Sequence, residues 1–123
     1  MAAILLAEDD DSMRRFLGKA LEKAGHAVTQ CDQGDVALEQ LHLQGYDLLL
    51  TDIVMPVMDG IELARKASGS FPELKIMFIT GFAAVALNPN SNAPKDAKVL
   101  SKPFHLKDLV DEVDRMLVSP ANA

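Results

Sequence analysis

Two apolar runs of the sequence each end in carboxylates, the side chains that bind hard cations or attack phosphorus. Residues 4–7 are followed by Glu8 and Asp9, and residues 48–51 are followed by Asp52. A short apolar run is typical of a strand buried on both faces of a parallel sheet. If the two runs are neighbouring strands, these acids meet at the edge where open α/β sheets bind ligands. Their mutual repulsion then requires a shared proton or a bound cation.

Two further polar residues end apolar segments and belong to the same predicted edge, Thr80 and Lys102. Mg²⁺ is typically held by one or two carboxylates together with waters and a phosphate, which Asp9 and Asp52, assisted by Glu8, could provide. Thr80 could donate a hydrogen bond to a phosphoryl oxygen, and Lys102 could supply a positive charge. Asp52 could also act as a nucleophile, because carboxylates form aspartyl phosphates.

Strand and helix patterns alternate along the chain. We predict strands at 4–7, 27–30, 46–51, 75–80 and 97–101, and helices whose apolar residues span 13–24, 36–41, 61–67 and 106–117. This alternation indicates an α/β fold in which helices cover both faces of a parallel sheet. Pro89 and Pro94 exclude a long helix after the fourth strand, so about two turns near 83–87 are expected at most.

The first predicted helix supplies both core and surface residues. Phe16, Leu17 and Leu21 follow helical spacing and are expected in the core. Arg14 and Arg15 are expected on the solvated face of the same helix.

Composition excludes several classes of function. The 123 residues suit one domain, and a formal charge of −6 with scattered basic residues argues against nucleic-acid binding. The single cysteine, Cys31, cannot form an internal disulfide, and no Cys/His spacing matches a zinc site. No apolar run approaches the roughly 18 residues of a membrane span, so no membrane insertion and a cytoplasmic location are expected.

Four groups of motifs, in this order, resemble the receiver domain of two-component response regulators. They are Glu8-Asp9, then Thr51-Asp52 with Met55-Pro56 and Met58-Asp59-Gly60, then Thr80-Gly81, and finally Lys102-Pro103-Phe104. Each motif alone is weak, but the ordered set is specific and covers nearly the whole chain. The resemblance implies a flavodoxin-like, doubly wound sheet of five parallel strands in the order 2-1-3-4-5.

The resemblance also implies a role for each acid. Asp52 would be the phosphoacceptor. Glu8, Asp9 and Asp52 would hold Mg²⁺ together with the backbone carbonyl of Val54.

By the same resemblance, Thr80 and Lys102 would contact the phosphoryl group. Gly81 would leave space for that group, although a simple turn glycine is an equally good interpretation. A cis peptide bond would join Lys102 to Pro103.

The resemblance implies a receiver over residues 1–118, a short tail over 119–123 and no output domain. The strings at 5–10 and 78–89 are similar to single-domain receivers that act by protein contact. That likeness implies a histidine kinase or histidine phosphotransferase as phosphodonor. It also implies an unphosphorylated form that engages ClpX and controls regulated proteolysis by ClpXP. A phosphotransfer intermediate, or a receiver that regulates another partner, is the alternative.

Three positions depart from the usual receiver pattern. Val99 stands where many receivers carry an aromatic switch residue. Val54 and Phe82 stand where the lifetime of the acyl phosphate is tuned, and neither side chain can orient an attacking water. We therefore predict slow self-dephosphorylation. We also predict high mobility for residues 82–94, where prolines replace a firm helix.

Three other classes of protein were weighed. A Mg²⁺-dependent phosphatase with an aspartyl nucleophile would place an acid at Val54, so this enzyme activity is not expected. A flavin-binding module would need a loop rich in Gly, Ser or Thr after the first strand, where this chain has aspartates at 9–11. A scaffold that has lost phosphorylation is compatible with the residue types, but the complete set of acids, threonine and lysine argues against it.

Overall fold

Five strands form one parallel sheet in the computed structural model, which describes residues 2–81, 88 and 90–118. The strands are β1 (Ala3–Ala7), β2 (Ala27–Cys31), β3 (Leu48–Thr51), β4 (Lys75–Thr80) and β5 (Lys98–Ser101). The helices within the described residues are α1 (Asp11–Lys23), α2 (Gly34–Leu43), α3 (Gly60–Ser70) and α4 (Leu106–Val118). The sheet order is β2-β1-β3-β4-β5, with every neighbouring pair parallel. The predicted fold class and strand order are therefore confirmed.

Both faces of the sheet are buried, which explains the continuous apolar runs in the sequence. Along β1, Leu5 and Ala7 belong to one core cluster, whereas Ile4 and Leu6 belong to the other. Helices α2 and α3 complete the first cluster, and helices α1 and α4 complete the second. Because the central strands β1, β3 and β4 are covered on both sides, their polar residues lie at or beyond their ends.

Helix α1 confirms two of its three predicted core residues. Leu17 and Leu21 are fully buried, but the prediction for Phe16 is wrong because this ring is 57% exposed. Successive helical residues are rotated by about 100°, so a helix that directs Leu17 at the sheet turns Phe16 towards solvent. Phe16 therefore adds apolar surface to the solvated side of α1.

Two predictions concern residues outside the described ranges. The short helix expected near 83–87 lies outside them, and so does Phe82. The mobility predicted for 82–94 stays a prediction.

The connection from β3 to α3, residues 52–59, ends in close contact with the residues that follow β3. The Gly60 amide donates a hydrogen bond to the Ile53 carbonyl at 2.7 Å. A Cβ atom at Gly60 would overlap the backbone carbonyl of Asp52. Asp59 then caps α3, because its side chain accepts a hydrogen bond from the Glu62 amide at 2.8 Å. The first turn of α3 therefore fixes the backbone position of Asp52.

Replacement of Gly60 by alanine should destabilise the fold by about 3 kcal/mol, because a backbone carbonyl cannot move aside as a flexible side chain can. The matched control is Gly69→Ala, in the same helix, where a Cβ meets no atom within 4 Å. There alanine should stabilise the protein by up to about 1 kcal/mol through helix propensity. Urea unfolding of both variants measures the difference, and equal stabilities would contradict this account of the connection.

Candidate functional site

Three carboxylates meet at the carboxyl edge of the sheet. Oxygen atoms of Glu8, Asp9 and Asp52 all lie within 4.8 Å of one another. Glu8 is only 1% exposed and Asp52 is 8% exposed, whereas Asp9 is exposed. Two of the three acids are therefore largely withdrawn from the water that would screen their repulsion.

The pairing of β1 with β3 causes this convergence. Ala7 lies opposite Thr51 in the parallel register, so the next residue on each strand is an acid. The Asp52 amide donates to the Ala7 carbonyl at 3.0 Å, and the Glu8 amide donates to the Cys31 carbonyl of β2 at 3.0 Å. The backbone thus holds both acids in place before any side-chain contact is made.

Lys102 offsets the two buried acids. Its Nζ atom lies 3.0 Å from Glu8 Oε1 and 3.0 Å from Asp52 Oδ2. The Lys102 amide donates to the Thr80 carbonyl at 2.8 Å, which anchors the lysine beside β4. The peptide bond from Lys102 to Pro103 is cis, as the family resemblance implied.

The second oxygen of Asp52 is held as well. Asp52 Oδ1 accepts a hydrogen bond from the Ile53 amide at 2.6 Å. With Lys102 on Oδ2, each carboxylate oxygen has a donor and the side chain has a defined orientation.

Burial raises the pKa of the Glu8 carboxyl from about 4.5 to about 7, and the Asp52 charge adds to this effect. The hydrogen bond and charge of Lys102 act in the opposite direction and lower the Glu8 pKa. Burial also works against the charge on Lys102. Its hydrogen bonds to Asp52 and Glu8 overcome that effect and raise the Lys102 pKa above its usual value. Lys102 is therefore charged near neutral pH, and the Glu8 carboxyl keeps its proton to a higher pH than an ordinary glutamate does.

Arg14 contributes to the site, and the prediction of a solvated face is wrong for it. Its side chain is 14% exposed, and Nη1 donates to the Glu8 carbonyl at 2.9 Å. Nη2 contacts Asp11 at 2.6 Å, which holds the guanidinium in place. Arg15 is exposed as expected. The pattern of side chains carries no signal for this contact, because the partner of Arg14 is a backbone carbonyl.

Thr80 and Gly81 lie at the end of β4. Thr80 is fully buried and is paired in the sheet with Ser101. A Cβ atom at Gly81 would meet no heavy atom of the described residues within 4 Å. The residues predicted to contact a phosphoryl group thus occupy the same edge as the acids.

Two of the three residues that depart from the usual receiver pattern, Val54 and Val99, are among the described residues. Val54 is 56% exposed, and its side chain has no hydrogen-bonding group. Val99 is partly buried and packs against the core cluster on the α2 and α3 face. Its position on β5 is therefore occupied by a compact side chain rather than an aromatic ring.

The donor set at the edge fits Mg²⁺. All three side chains offer oxygen, the ligand atom that this ion prefers. The exposed Asp9 gives the pocket an open side.

The chain belongs to the response regulator receiver domain family, whose family model matches residues 4–114. The fold and the acid-tipped edge agree with this assignment, which favours a receiver over the flavin-binding module. None of the helices in the described part of the chain has the length and apolar character needed to span a membrane.

The chain is 69% identical to the response regulator receiver protein CpdR of Brucella abortus, over 97% of this chain and 99% of CpdR. The strings at 5–10 and 78–89 resemble single-domain receivers of this CpdR type, and this relative confirms that resemblance. The chain also matches a part of the sensor kinase CckA of the same organism. The two are 39% identical over a stretch that covers 94% of this chain and 12% of CckA. Among solved structures, response regulator TrrA of Thermotoga maritima, in complex with Mg²⁺ and BeF, has a TM-score of 0.85 and 27% identity. That match covers 95% of this chain and 100% of TrrA.

The raised pKa of Glu8 predicts that the metal-free protein loses stability as pH rises. Between about pH 4.5 and 7 the folded state binds a proton on Glu8 that the unfolded state releases, so folding is favoured at the acid end. From pH 5 to pH 8 the loss should be on the order of 3 kcal/mol. Glu8→Gln removes this titration and should flatten the slope. Urea unfolding of the wild type and of Glu8→Gln across this pH range, in the presence of a metal chelator, measures the two slopes. Parallel pH profiles of stability would contradict the prediction.

Proposed function

We propose that this protein is a response regulator phosphorylated on Asp52 by a phosphohistidine donor in a phosphorelay. The observation that carries the proposal is the Asp52 carboxylate itself, which is oriented by Lys102 and lies against two further acids. A carboxylate held in this way is prepared to attack phosphorus and needs a cation to offset its neighbours. Membership of the receiver family supports this reading.

In the proposed transfer, an oxygen of Asp52 forms a bond to phosphorus as the bond from phosphorus to the donor histidine nitrogen breaks. The electron pair of that bond returns to the imidazole. Glu8, Asp9 and Asp52 would hold Mg²⁺ with the backbone carbonyl of Val54, and this ion would offset the charge of the phosphoryl oxygens.

Thr80 and Lys102 are proposed to bind the transferred group. Lys102 already bridges two acids, so its ammonium can exchange a carboxylate for a phosphoryl oxygen without moving far. Thr80 would donate its hydroxyl hydrogen to a second oxygen, and Gly81 would leave space for the group. Val54 offers no group to orient a hydrolytic water, so the acyl phosphate should be long-lived. Phe82, the second position of this kind, belongs to the proposal from its sequence position alone.

We infer that the unphosphorylated form engages ClpX and controls proteolysis by ClpXP. The likeness to CpdR over nearly the full length of both chains supports this part of the proposal. A histidine kinase or histidine phosphotransferase is the donor class that fits, and the similarity to part of CckA agrees with a relay. A cytoplasmic location is proposed along with these partners.

Phosphorylation should depend on Asp52 and on Mg²⁺. Incubation of the wild type with Mg²⁺ and acetyl phosphate should add one phosphoryl group, measured by mass spectrometry of the intact protein. Asp52→Asn removes the nucleophile and should abolish the addition. Asp96→Asn, an exposed acid outside the cluster, is the matched control and should react like the wild type.

Beryllium fluoride provides a second measurement that needs no covalent bond. With Mg²⁺ it should shift the amide resonances of residues around Asp52 in the wild type and not in Asp52→Asn. Reaction of both proteins to the same extent, or of neither, would overturn Asp52 as the phosphoacceptor.

Binding to ClpX should be strong for the unphosphorylated protein and at least about tenfold weaker after beryllofluoride loading, a difference of about 1.4 kcal/mol. Asp52→Asn should bind ClpX with or without beryllofluoride, because it cannot be loaded. Isothermal titration with purified ClpX measures both. Equal affinity of the loaded and unloaded wild type would contradict regulation of ClpXP while leaving the phosphoacceptor intact.

A further inference from the structure

Arg14 is a mostly buried arginine in the first turn of α1. Its side chain is 14% exposed, whereas the side chain of its neighbour Arg15 is 71% exposed. A guanidinium that leaves water loses hydration, so burial is tolerated where its N–H groups find partners. Arg14 has two such partners: Nη1 donates to the Glu8 carbonyl at 2.9 Å, and Nη2 donates to Asp11 Oδ1 at 2.6 Å. The planar fork of one side chain thus joins the end of β1 to the start of α1.

The link between β1 and α1, residues 8–10, is held to the first turn of the helix at several points. A backbone group in such a link needs a partner from a side chain, a turn or water, and Arg14 is that partner for the Glu8 carbonyl. The Asp10 amide donates to Glu8 Oε2 at 3.4 Å, and the Asp10 side chain accepts from the Met13 amide at 2.9 Å. Both ends of the link are therefore fixed.

Two of the three acids in the candidate Mg²⁺ pocket belong to this link. Glu8 is buried at its start, and the exposed Asp9 is its middle residue. Asp9 lies between two residues whose positions are fixed by hydrogen bonds, Glu8 and Asp10. The third acid, Asp52, follows β3, so the spacing within the cluster depends on how the link is held beside that strand.

The charge of Arg14 and its hydrogen bonds have opposite effects on a bound metal ion. A guanidinium beside Glu8 weakens the negative potential that attracts Mg²⁺, because a cation repels a cation. Groups that hold metal ligands in place act in the other direction and commonly contribute about tenfold or more to metal affinity. The sign of the change in Mg²⁺ affinity on removing Arg14 therefore tells which effect dominates.

We propose that Arg14 is a positioning residue of the Mg²⁺ pocket, which joins Glu8 to Asp11 and so holds Glu8 and Asp9 at the spacing that the ion needs. The inference rests on the function proposed above, since Mg²⁺ binding belongs to that proposal. The geometry that carries it is the fork itself, with one nitrogen on the strand side of the link and the other on the first residue of α1.

Substitutions at Arg14 separate position from charge. Arg14→Met keeps an unbranched side chain and removes both hydrogen bonds together with the charge. Arg14→Lys keeps the charge, but a single Nζ atom cannot reproduce the planar fork. The matched control is Arg15→Met, which removes the same charge from an exposed neighbour. Arg15 also contacts Asp11, since its Nε donates to the Asp11 carbonyl at 3.3 Å.

The measured quantity is the Mg²⁺ dissociation constant of the unphosphorylated protein, from the shifts of amide resonances near Asp9 and Asp52 during titration with magnesium chloride. We expect it to rise about tenfold in Arg14→Met and nearly as much in Arg14→Lys. Arg15→Met should stay within about twofold of the wild type, because exposed charges are screened. Urea unfolding of each variant in chelator shows that the protein is folded under the conditions of the titration.

Unchanged or tighter Mg²⁺ binding in Arg14→Met would overturn the proposal, because the charge would then be the main effect. Wild-type affinity in Arg14→Lys would overturn it too, and this variant carries the test if Arg14→Met does not fold. Equal losses in Arg14→Met and Arg15→Met would also contradict it.

Two further outcomes assign Arg14 elsewhere or reach beyond it. A slower reaction of Arg14→Met with acetyl phosphate at unchanged Mg²⁺ affinity would overturn the positioning role and place the arginine with the phosphoryl group. Failure of the wild type to bind Mg²⁺ would instead overturn the metal pocket of the proposed function, which is a different result from equal binding by all variants.

Discussion

The repulsion between Glu8 and Asp52 is the constraint on which the rest of the site depends. The β1–β3 register places these acids side by side, and burial removes most of the water that would screen them. Lys102, brought to the same point by β5, is the counter-charge that makes the arrangement tolerable in a folded chain. Four strands, β1, β3, β4 and β5, must therefore be paired correctly before the charges balance, so the chemistry of the edge is tied to the topology of the sheet.

Much of this arrangement could be predicted from the sequence because it follows from strand order. Apolar runs identify buried strands, parallel strands bring their carboxyl ends to one edge, and the residues that end the runs must then meet there. The convergence of Glu8, Asp52 and Lys102 could be predicted from strand order alone. The boundaries of β4 were also predictable, since polar residues border an uninterrupted run.

What could not be predicted depends on rotation and side-chain reach. One residue separates buried Leu17 from exposed Phe16, and the sequence spacing alone does not determine which of them faces the sheet. Arg14 resembled a surface arginine because its partner is a backbone carbonyl, which no pattern of side chains reveals. Positive φ at Val57 escaped prediction for a similar reason: valine favours extended structure, and tertiary contacts impose the turn on it.

The close approach of Gly60 to the Asp52 carbonyl has a consequence for how this domain can change in evolution. This contact joins the end of the β3–α3 connection to its start. A single residue inserted or deleted within the connection would therefore shift α3 relative to Asp52. Side chains along the connection, Val54 and Val57 among them, can be exchanged without altering its length. New partner preferences can thus arise by substitution at these surface positions, while the spacing between the nucleophile and its supporting helix stays constant.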